Sequence, residues 1–168
     1  NFETVVLRPA TVCGFSRRQR LDVVVNILTN LAYHKKEITV FGGEQLRPNI
    51  HIDDMVSAYS KVLKAEKNLV NRQIFNVGYE NISVANIATQ VKSLIGQDIN
   101  IVFKETNDNR SYHISSTKIR DVLNFVPKKT VADAVMDLKQ AFDKKILTDT
   151  LENELYFNIK RMKSVELE

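Results

Sequence analysis

The residues best suited to chemistry in this sequence are two arginines in loop-like surroundings. Arg47 follows the Gly42-Gly43 turn and precedes an extended run, and Arg110 sits in a polar stretch just ahead of a helical one. A guanidinium is permanently charged and planar, and its paired donors match the oxygens of phosphates and carboxylates. Taken singly, each reads more readily as a surface arginine in an ion pair. His51, Asp53 and Asp54 have the types for acid–base work, but they lie where a short extended run gives way to a helical pattern, where Asp53 or Asp54 is a natural N-cap. His34 and His113 have no Cys or carboxylate at a ligand spacing, so no metal site is expected. Cys13 is the single cysteine; it cannot form an internal disulfide and reads as a small buried apolar residue, not a nucleophile.

These residues need elements to position them, and the sequence outlines those elements well. The run Thr4-Val5-Val6-Leu7-Arg8-Pro9 predicts a strand buried on both faces. Apolar residues at three- and four-residue steps predict a helix over 21–33, and the run 38–41 predicts a strand stopped by Gly42-Gly43. A short extended piece over 50–52 leads into a helix carrying Met55, Ala58, Tyr59, Val62 and Leu63 on one face. Gln73–Val77 reads as a strand, Ser83 caps a helix over Val84–Ile95 that Gly96 closes, and 99–103 reads as a strand. A short helix over 117–122 follows. Thr130 with Asp133 predicts a capping box opening Val131–Asp143, and a further helix is expected over 150–163. Strands alternating with helices argue for an α/β fold.

Composition narrows the function classes. The 168 residues are 43% apolar and 26% charged, close to the globular average, which argues against disorder or a fibre. The net charge of +4 is spread along the chain apart from Arg17-Arg18-Gln19-Arg20 and Lys160-Arg161-Met162-Lys163, so nucleic acid is not the expected partner. No apolar run approaches the roughly 20 residues of a bilayer span and no signal-peptide pattern opens the chain, so a cytoplasmic location without membrane association is expected. The chain opens at Asn1, without Met, on a strand that needs neighbours; this suggests residues lost ahead of it.

Five motifs then fall in a telling order. They are Val6-Leu7-Arg8-Pro9-Ala10-Thr11-Val12-Cys13-Gly14, Ile38-Thr39-Val40-Phe41-Gly42-Gly43, Arg47-Pro48-Asn49-Ile50-His51-Ile52-Asp53-Asp54, Phe75-Asn76-Val77-Gly78, and Asp108-Asn109-Arg110-Ser111-Tyr112 with Ser116-Thr117-Lys118-Ile119. Each is weak, but together they resemble the landmarks that follow the catalytic Tyr-x-x-x-Lys in the NAD-dependent epimerase/dehydratase family of extended short-chain dehydrogenases, over nearly the whole chain to about Phe142. The resemblance implies the C-terminal part of a Rossmann-type NAD(P)-binding fold plus a small α/β substrate-binding lobe. On that division, 1–16 is the last part of the nucleotide-binding fold with a substrate loop. Residues 17–52 and 79–145 are the two parts of the lobe, 53–78 return to the nucleotide-binding fold, and 146–168 form a helical tail.

The resemblance also implies roles. Arg47 and Arg110 would grip the diphosphate of a nucleotide-diphosphate sugar from two sides, Phe41 and Val40 would wall the base, and Asn26 would reach the nucleotide. Thr11 stands where many relatives carry an asparagine near the sugar, and Cys13 replaces a commonly seen tyrosine, so the sugar itself stays open. Pro9 and Val12 would lie near the nicotinamide of NAD or NADP as a wall, and His51 would be structural. No Gly-x-x-Gly-x-x-Gly turn and no Tyr-x-x-x-Lys occur in this sequence. The expectation is therefore a fragment that is inactive alone, with no catalytic residue of its own and its cofactor bound mainly by an absent N-terminal half. The parent would be an enzyme oxidising a sugar carbon and then epimerising, dehydrating or reducing it, with a homodimer among the assemblies allowed. The rivals are a non-catalytic nucleotide-sugar-binding module, an extended short-chain reductase of another carbonyl compound, and a basic nucleic-acid binder.

Overall fold

Three parallel strand pairings, made by β-branched runs far apart in the sequence, shape the fold. The computed structural model describes residues 2–107 and 110–165. In chain order the elements are β1 (Val5–Pro9), β2 (Thr11–Cys13), α1 (Val24–Lys35), β3 (Glu37–Phe41), β4 (Leu46–His51), α2 (Ile52–Lys64), α3 (Lys67–Val70), β5 (Gln73–Val77), β6 (Glu80–Ser83), α4 (Val84–Ile95), β7 (Asn100–Lys104), α5 (Thr117–Leu123), α6 (Val131–Asp143), a 3-10 turn (Glu154–Tyr156) and α7 (Asn158–Ser164). β1 runs parallel to β5, and β3 parallel to β7. β4 lies between β2, parallel, and β6, antiparallel.

The fold class expected from the sequence needs correction. Instead of a remnant of a nucleotide fold with an appended lobe, strands and helices alternate in a Rossmann-like manner through the described chain. The middle sheet draws its strands from near residues 11, 46 and 80, so long-range pairing leaves no seam along it. β1 also differs from expectation. It pairs with β5 in a two-stranded ladder, and Val6 stands 46% exposed, so the strand is covered on one face instead of two.

Two apolar cores hold the sheets. Val25, Leu28 and Ala32 of α1, Ile87, Ala88 and Val91 of α4, and Val131, Ala134 and Val135 of α6 close over Ile38 and Val40 of β3. The second core gathers Phe75 and Val77 of β5, Met55, Ala58 and Val62 of α2, and Ile119 and Leu123 of α5. Phe75 is completely buried, and burial of a side chain of that size contributes about 1.5–3 kcal/mol. A third, smaller cluster joins Leu21, Leu138 and Phe142 to Tyr156 and Phe157 of the tail. No helix among the described residues is long and apolar enough to cross a membrane.

Local signals explain most helix ends. The Ser83 hydroxyl accepts from the Asn86 N–H at the start of α4, and the Thr130–Asp133 capping box opens α6. α1 starts at Val24, three residues later than its periodicity suggests, and the preceding Leu21 N–H donates to the Tyr156 carbonyl at 2.8 Å. α2 is capped by His51 and not by an aspartate, with its Nδ1 accepting from the Asp53 N–H at 3.1 Å. β4 runs through Pro48, which sequence reading leaves out of the strand; β2 reaches β4 only from Asn49 onward, so Pro48 needs no ladder donor on that side. β2, β6 and α3 are too short or too polar to show in the pattern. The tail is a 3-10 turn and a short helix instead of one continuous helix.

A buried polar node locks these pieces together. With His51 Nδ1 accepting, Nε2 carries the proton and donates to Asp137 of α6 at 3.0 Å. Gly14 lies against the same ring: with φ at +99°, a Cβ there would come within 2.9 Å of His51 Nε2, so only glycine fits. Asp54, 5% exposed, accepts the N–H groups of Lys128 and Lys129 at 2.9 and 2.8 Å. Cys13 donates its thiol to the Ile50 carbonyl at 3.4 Å, and burial, followed by the nearby Glu80 charge, pushes the thiol up to about 12.

Asp54→Ala should cost about 2–4 kcal/mol, since two partly buried N–H groups lose their acceptor, read as a lower urea midpoint with unchanged slope; a loss under about 0.5 kcal/mol would refute the clamp. The Thr130 N–H, and then its hydroxyl, hold the Asp133 carboxyl below its ordinary 3.8. Its contribution is therefore present above that value and lost as pH falls through the folded-state value. The stability gap between the native chain and Asp133→Ala should narrow in acid, and a gap constant down to about pH 2 would contradict this. Cys13 should resist an aromatic disulfide reagent until the protein unfolds; labelling of the native chain at a free thiol's rate would show that the burial is wrong.

Candidate functional site

The side chain of Arg47 reaches the main chain of Arg110, the other arginine singled out from the sequence, across 63 positions. The Arg47 guanidinium donates to the main-chain carbonyl of Arg110 and to that of Leu46, the latter at 3.0 Å. It also lies over the Tyr112 ring, 5.7 Å from the centroid. The segment 110–112 is zipped to the start of β4: Leu46 N–H donates to Ser111 Oγ at 2.9 Å, and Tyr112 N–H reaches back to the Leu46 carbonyl at 3.5 Å. Asp108 and Asn109, part of the motif that pointed to Arg110, lie outside the described residues.

A cleft of about 670 Å³ opens beside this zipper, between the Gly42-Gly43 turn and the loop that follows β7, with Gln45, Thr106, Asn107 and Ser111 in its lining. Gln45 builds one wall, because its side chain donates to the Phe41 carbonyl and accepts from the Gly43 N–H, both at 2.6 Å. Gly42 has φ of +74°, and a Cβ there would lie 2.7 Å from Thr106 Cγ2, so the turn can close against the loop only with glycine. Phe41 projects 56% exposed at the end of β3, next to this turn. Val40, its neighbour, has no exposed surface and belongs to the first core. The cleft also carries Glu44 and Glu105. Their carboxylates suit hydroxyl or amide donors, so any anion must sit toward the arginine edge.

Pro9, Val12 and Asn26 come together in a second cleft, of about 340 Å³, with Arg18, Arg20 and Tyr59. The Asn26 side chain is already committed. It accepts from Gly14 N–H at 3.0 Å and donates to the Arg20 carbonyl at 2.8 Å, so it shapes the loop and has little left for a ligand. Pro9 and Val12 offer an apolar wall without a donor, since proline has no N–H. This volume is at the small end for ligand sites and accommodates a ring-sized group, not a whole dinucleotide. Thr11 is half-buried on β2 and lines neither cleft. Another cleft of about 610 Å³, between α2, α3 and α5, contains none of the expected residues.

His51, Asp53 and Asp137 bring ligand atoms within 4.8 Å of one another, a spacing that a cation could bridge. Lys129 supplies that positive charge, with Nζ at 2.7 Å from Asp53 and 3.5 Å from Asp137. Its hydrogen bond holds the Asp53 carboxyl below the ordinary range, and Asp53 in turn raises the Lys129 ammonium. The cluster is a partly exposed ion-pair network built on the buried His51 ring. Sequence reading missed Gln45, Ser111 and Tyr112 as builders of the arginine edge. Ser111 and Tyr112 act through bonds to Leu46 across the fold, and Gln45 through its side chain within the Gly42-Gly43 turn.

A family model described as the NAD dependent epimerase/dehydratase family matches residues 1–78. Among solved structures, a UDP-glucose 4-epimerase from Thermotoga maritima with UDP-glucose is 24% identical, with a TM-score of 0.74 over 87% of this chain and 48% of that one. A UDP-glucuronic acid 4-epimerase from Bacillus cereus, in complex with UDP-glucuronic acid and NAD, is 24% identical, with a TM-score of 0.69 over 81% of this chain and 45% of the other. A dTDP-glucose 4,6-dehydratase from Bacillus anthracis in complex with NAD is 20% identical, with a TM-score of 0.70 over 92% of this chain and 47% of the other. At these identities the likeness is one of fold, and the chain spans about half the length of the structures it matches. The likeness runs through 81–92% of the chain, which corrects the expected partial nucleotide fold with an appended lobe to one Rossmann-like fold throughout. The expectations of an inactive remnant, and of NAD or NADP held mainly by an absent N-terminal half, are corrected with it. The Rossmann-like alternation used by such cofactors runs through this chain itself.

Proposed function

We propose that this protein handles a nucleotide-diphosphate sugar, in an NAD-dependent oxidoreduction of the epimerase/dehydratase type. The observation behind the reading is that the Arg47 guanidinium is held against the main-chain carbonyl of Arg110, whose neighbour Ser111 lines the adjacent cleft. Arg47 is braced by two carbonyls and an aromatic ring, so its charge is placed before any ligand arrives. A pre-placed guanidinium loses little side-chain freedom on binding a diphosphate. The nucleotide-sugar ligands bound in the epimerases of similar fold support the same assignment.

In this reading the phosphates sit at the arginine edge and the base rests on the exposed ring of Phe41, with Val40 supporting that strand from the core. Glu44 and Glu105 accept from hydroxyl or amide donors of the nucleoside. Thr11 lines neither cleft and is left without a role, while Asn26 keeps the Gly14–Arg20 loop in shape. A nicotinamide cofactor would supply the hydride acceptor, and Pro9 and Val12 would present their apolar wall to it. Proton transfer is assigned to none of the described residues.

Titration calorimetry of the whole chain with UDP-glucose and dTDP-glucose tests the reading. Arg47→Ala and Arg110→Ala should each weaken binding by about 1.5–3 kcal/mol, roughly ten- to a hundredfold. Unchanged affinity for both sugars in both variants would rule out the arginine edge as the diphosphate site.

A further inference from the structure

We propose a second anion site, which takes a soluble phosphate ester or diphosphate, in the cleft between the loop 16–20 and the C-terminal tail. This cleft measures about 440 Å³ and is lined by Arg17, Arg18, Gln19, Leu155, Tyr156 and Arg161. It shares no lining residue with the cleft beside Arg47.

Three guanidiniums face this cleft, and their charges are mostly uncompensated. Arg161 pairs with Glu154 at 2.5 Å. Arg18 donates to the neutral Asn158 Oδ1 at 3.2 Å, and among the described residues neither Arg17 nor Arg18 forms an ion pair. Holding like charges in one recess is unfavourable unless an anion joins them, and the recess focuses their field on such an anion. Planar, forked donors on two walls match the oxygens of a phosphate better than a lone carboxylate would.

The walls are rigid before any ligand binds. Gln19, 3% exposed, accepts from Ser16 N–H at 2.9 Å and donates to the carbonyls of Gly14 and Arg20, which turns its arginine neighbours outward. The tail is fastened to the same loop: Leu21 N–H donates to the Tyr156 carbonyl at 2.8 Å, and Asn158 N–H donates to Asp22 at 2.8 Å. Asn30 holds the tail further back through the Thr150 carbonyl at 2.9 Å. Tyr156 and Phe157 pack with Leu21, Leu138 and Phe142 beneath. A phosphate bridging Arg17 or Arg18 to Arg161 therefore cross-links loop and tail. Arg18 and Arg20 also line the cleft holding Pro9 and Val12, so occupancy would stiffen that rim as well.

The test uses the whole chain carrying Arg47→Ala, which weakens the first anion site roughly ten- to a hundredfold so that the second dominates, with inorganic pyrophosphate as the probe. Calorimetry should show one saturable site, and adding Arg17→Ala with Arg161→Ala should weaken it at least tenfold, about the effect of losing one charge-assisted contact. Circular dichroism on the variants checks that they keep the fold. Equal affinity with and without the two arginines would overturn the proposal. So would sulfate binding as tightly as pyrophosphate at matched ionic strength, the behaviour of an adventitious ion. Loss of all pyrophosphate binding in Arg47→Ala alone would also overturn it, while leaving the first site's assignment standing. Binding to phosphatidic-acid vesicles without binding to free pyrophosphate would refute the soluble ligand.

Discussion

The structure turns on a single buried imidazole. His51 closes β4, caps α2 through one ring nitrogen and reaches α6 through the other, while Gly14 lies directly against its face. Burying a polar ring is costly unless both nitrogens are satisfied, and here both are. The consequence is geometric. The β2–loop segment, the strand carrying Arg47 and the helix carrying Asp137 cannot shift independently, so the walls of the clefts inherit their positions from this ring.

Around that node the apolar cores divide the work. One core binds α1, α4 and α6 over β3, and the other binds α2 and α5 over β1 and β5. β4 runs between β2 and β6 in the middle sheet. Its first half carries Arg47 toward the zipper with residues 110–112, and its last residue is His51. One strand thus positions a candidate ligand contact at one end and a structural anchor at the other. The Lys129, Asp53 and Asp137 network stands beside the anchor, where it compensates charge instead of offering it to a ligand.

Three clefts are bordered by loops whose polar side chains are largely committed internally. Asn26 and Gln19 spend their amides on the Gly14–Arg20 loop, and Gln45 spends its own on the Gly43 turn. Such bonds remove freedom from loops before binding, which is the condition for small, well-aimed recognition. What remains outward is mainly arginine, in two separate places.

Much of this protein was legible in the residues alone. The capping box at Thr130, the Ser83 cap and the helices over Val84–Ile95 and Val131–Asp143 depend on contacts within one turn, so the local pattern determined them. The burial of Cys13 and the candidacy of Arg47 and Arg110 could also be read from types and neighbours. Tertiary structure alone decided the rest. It brought Arg47 against Arg110, placed His51 instead of an aspartate at the α2 cap, consumed the Asn26 amide, and broke the tail so that it docks on the Arg17–Arg18 loop. The Arg47–Arg110 and loop–tail contacts join residues dozens of positions apart, and the His51 and Asn26 bonds, though short in sequence, depend on how strand and loop are turned; no periodicity of two or 3.6 residues carries that information.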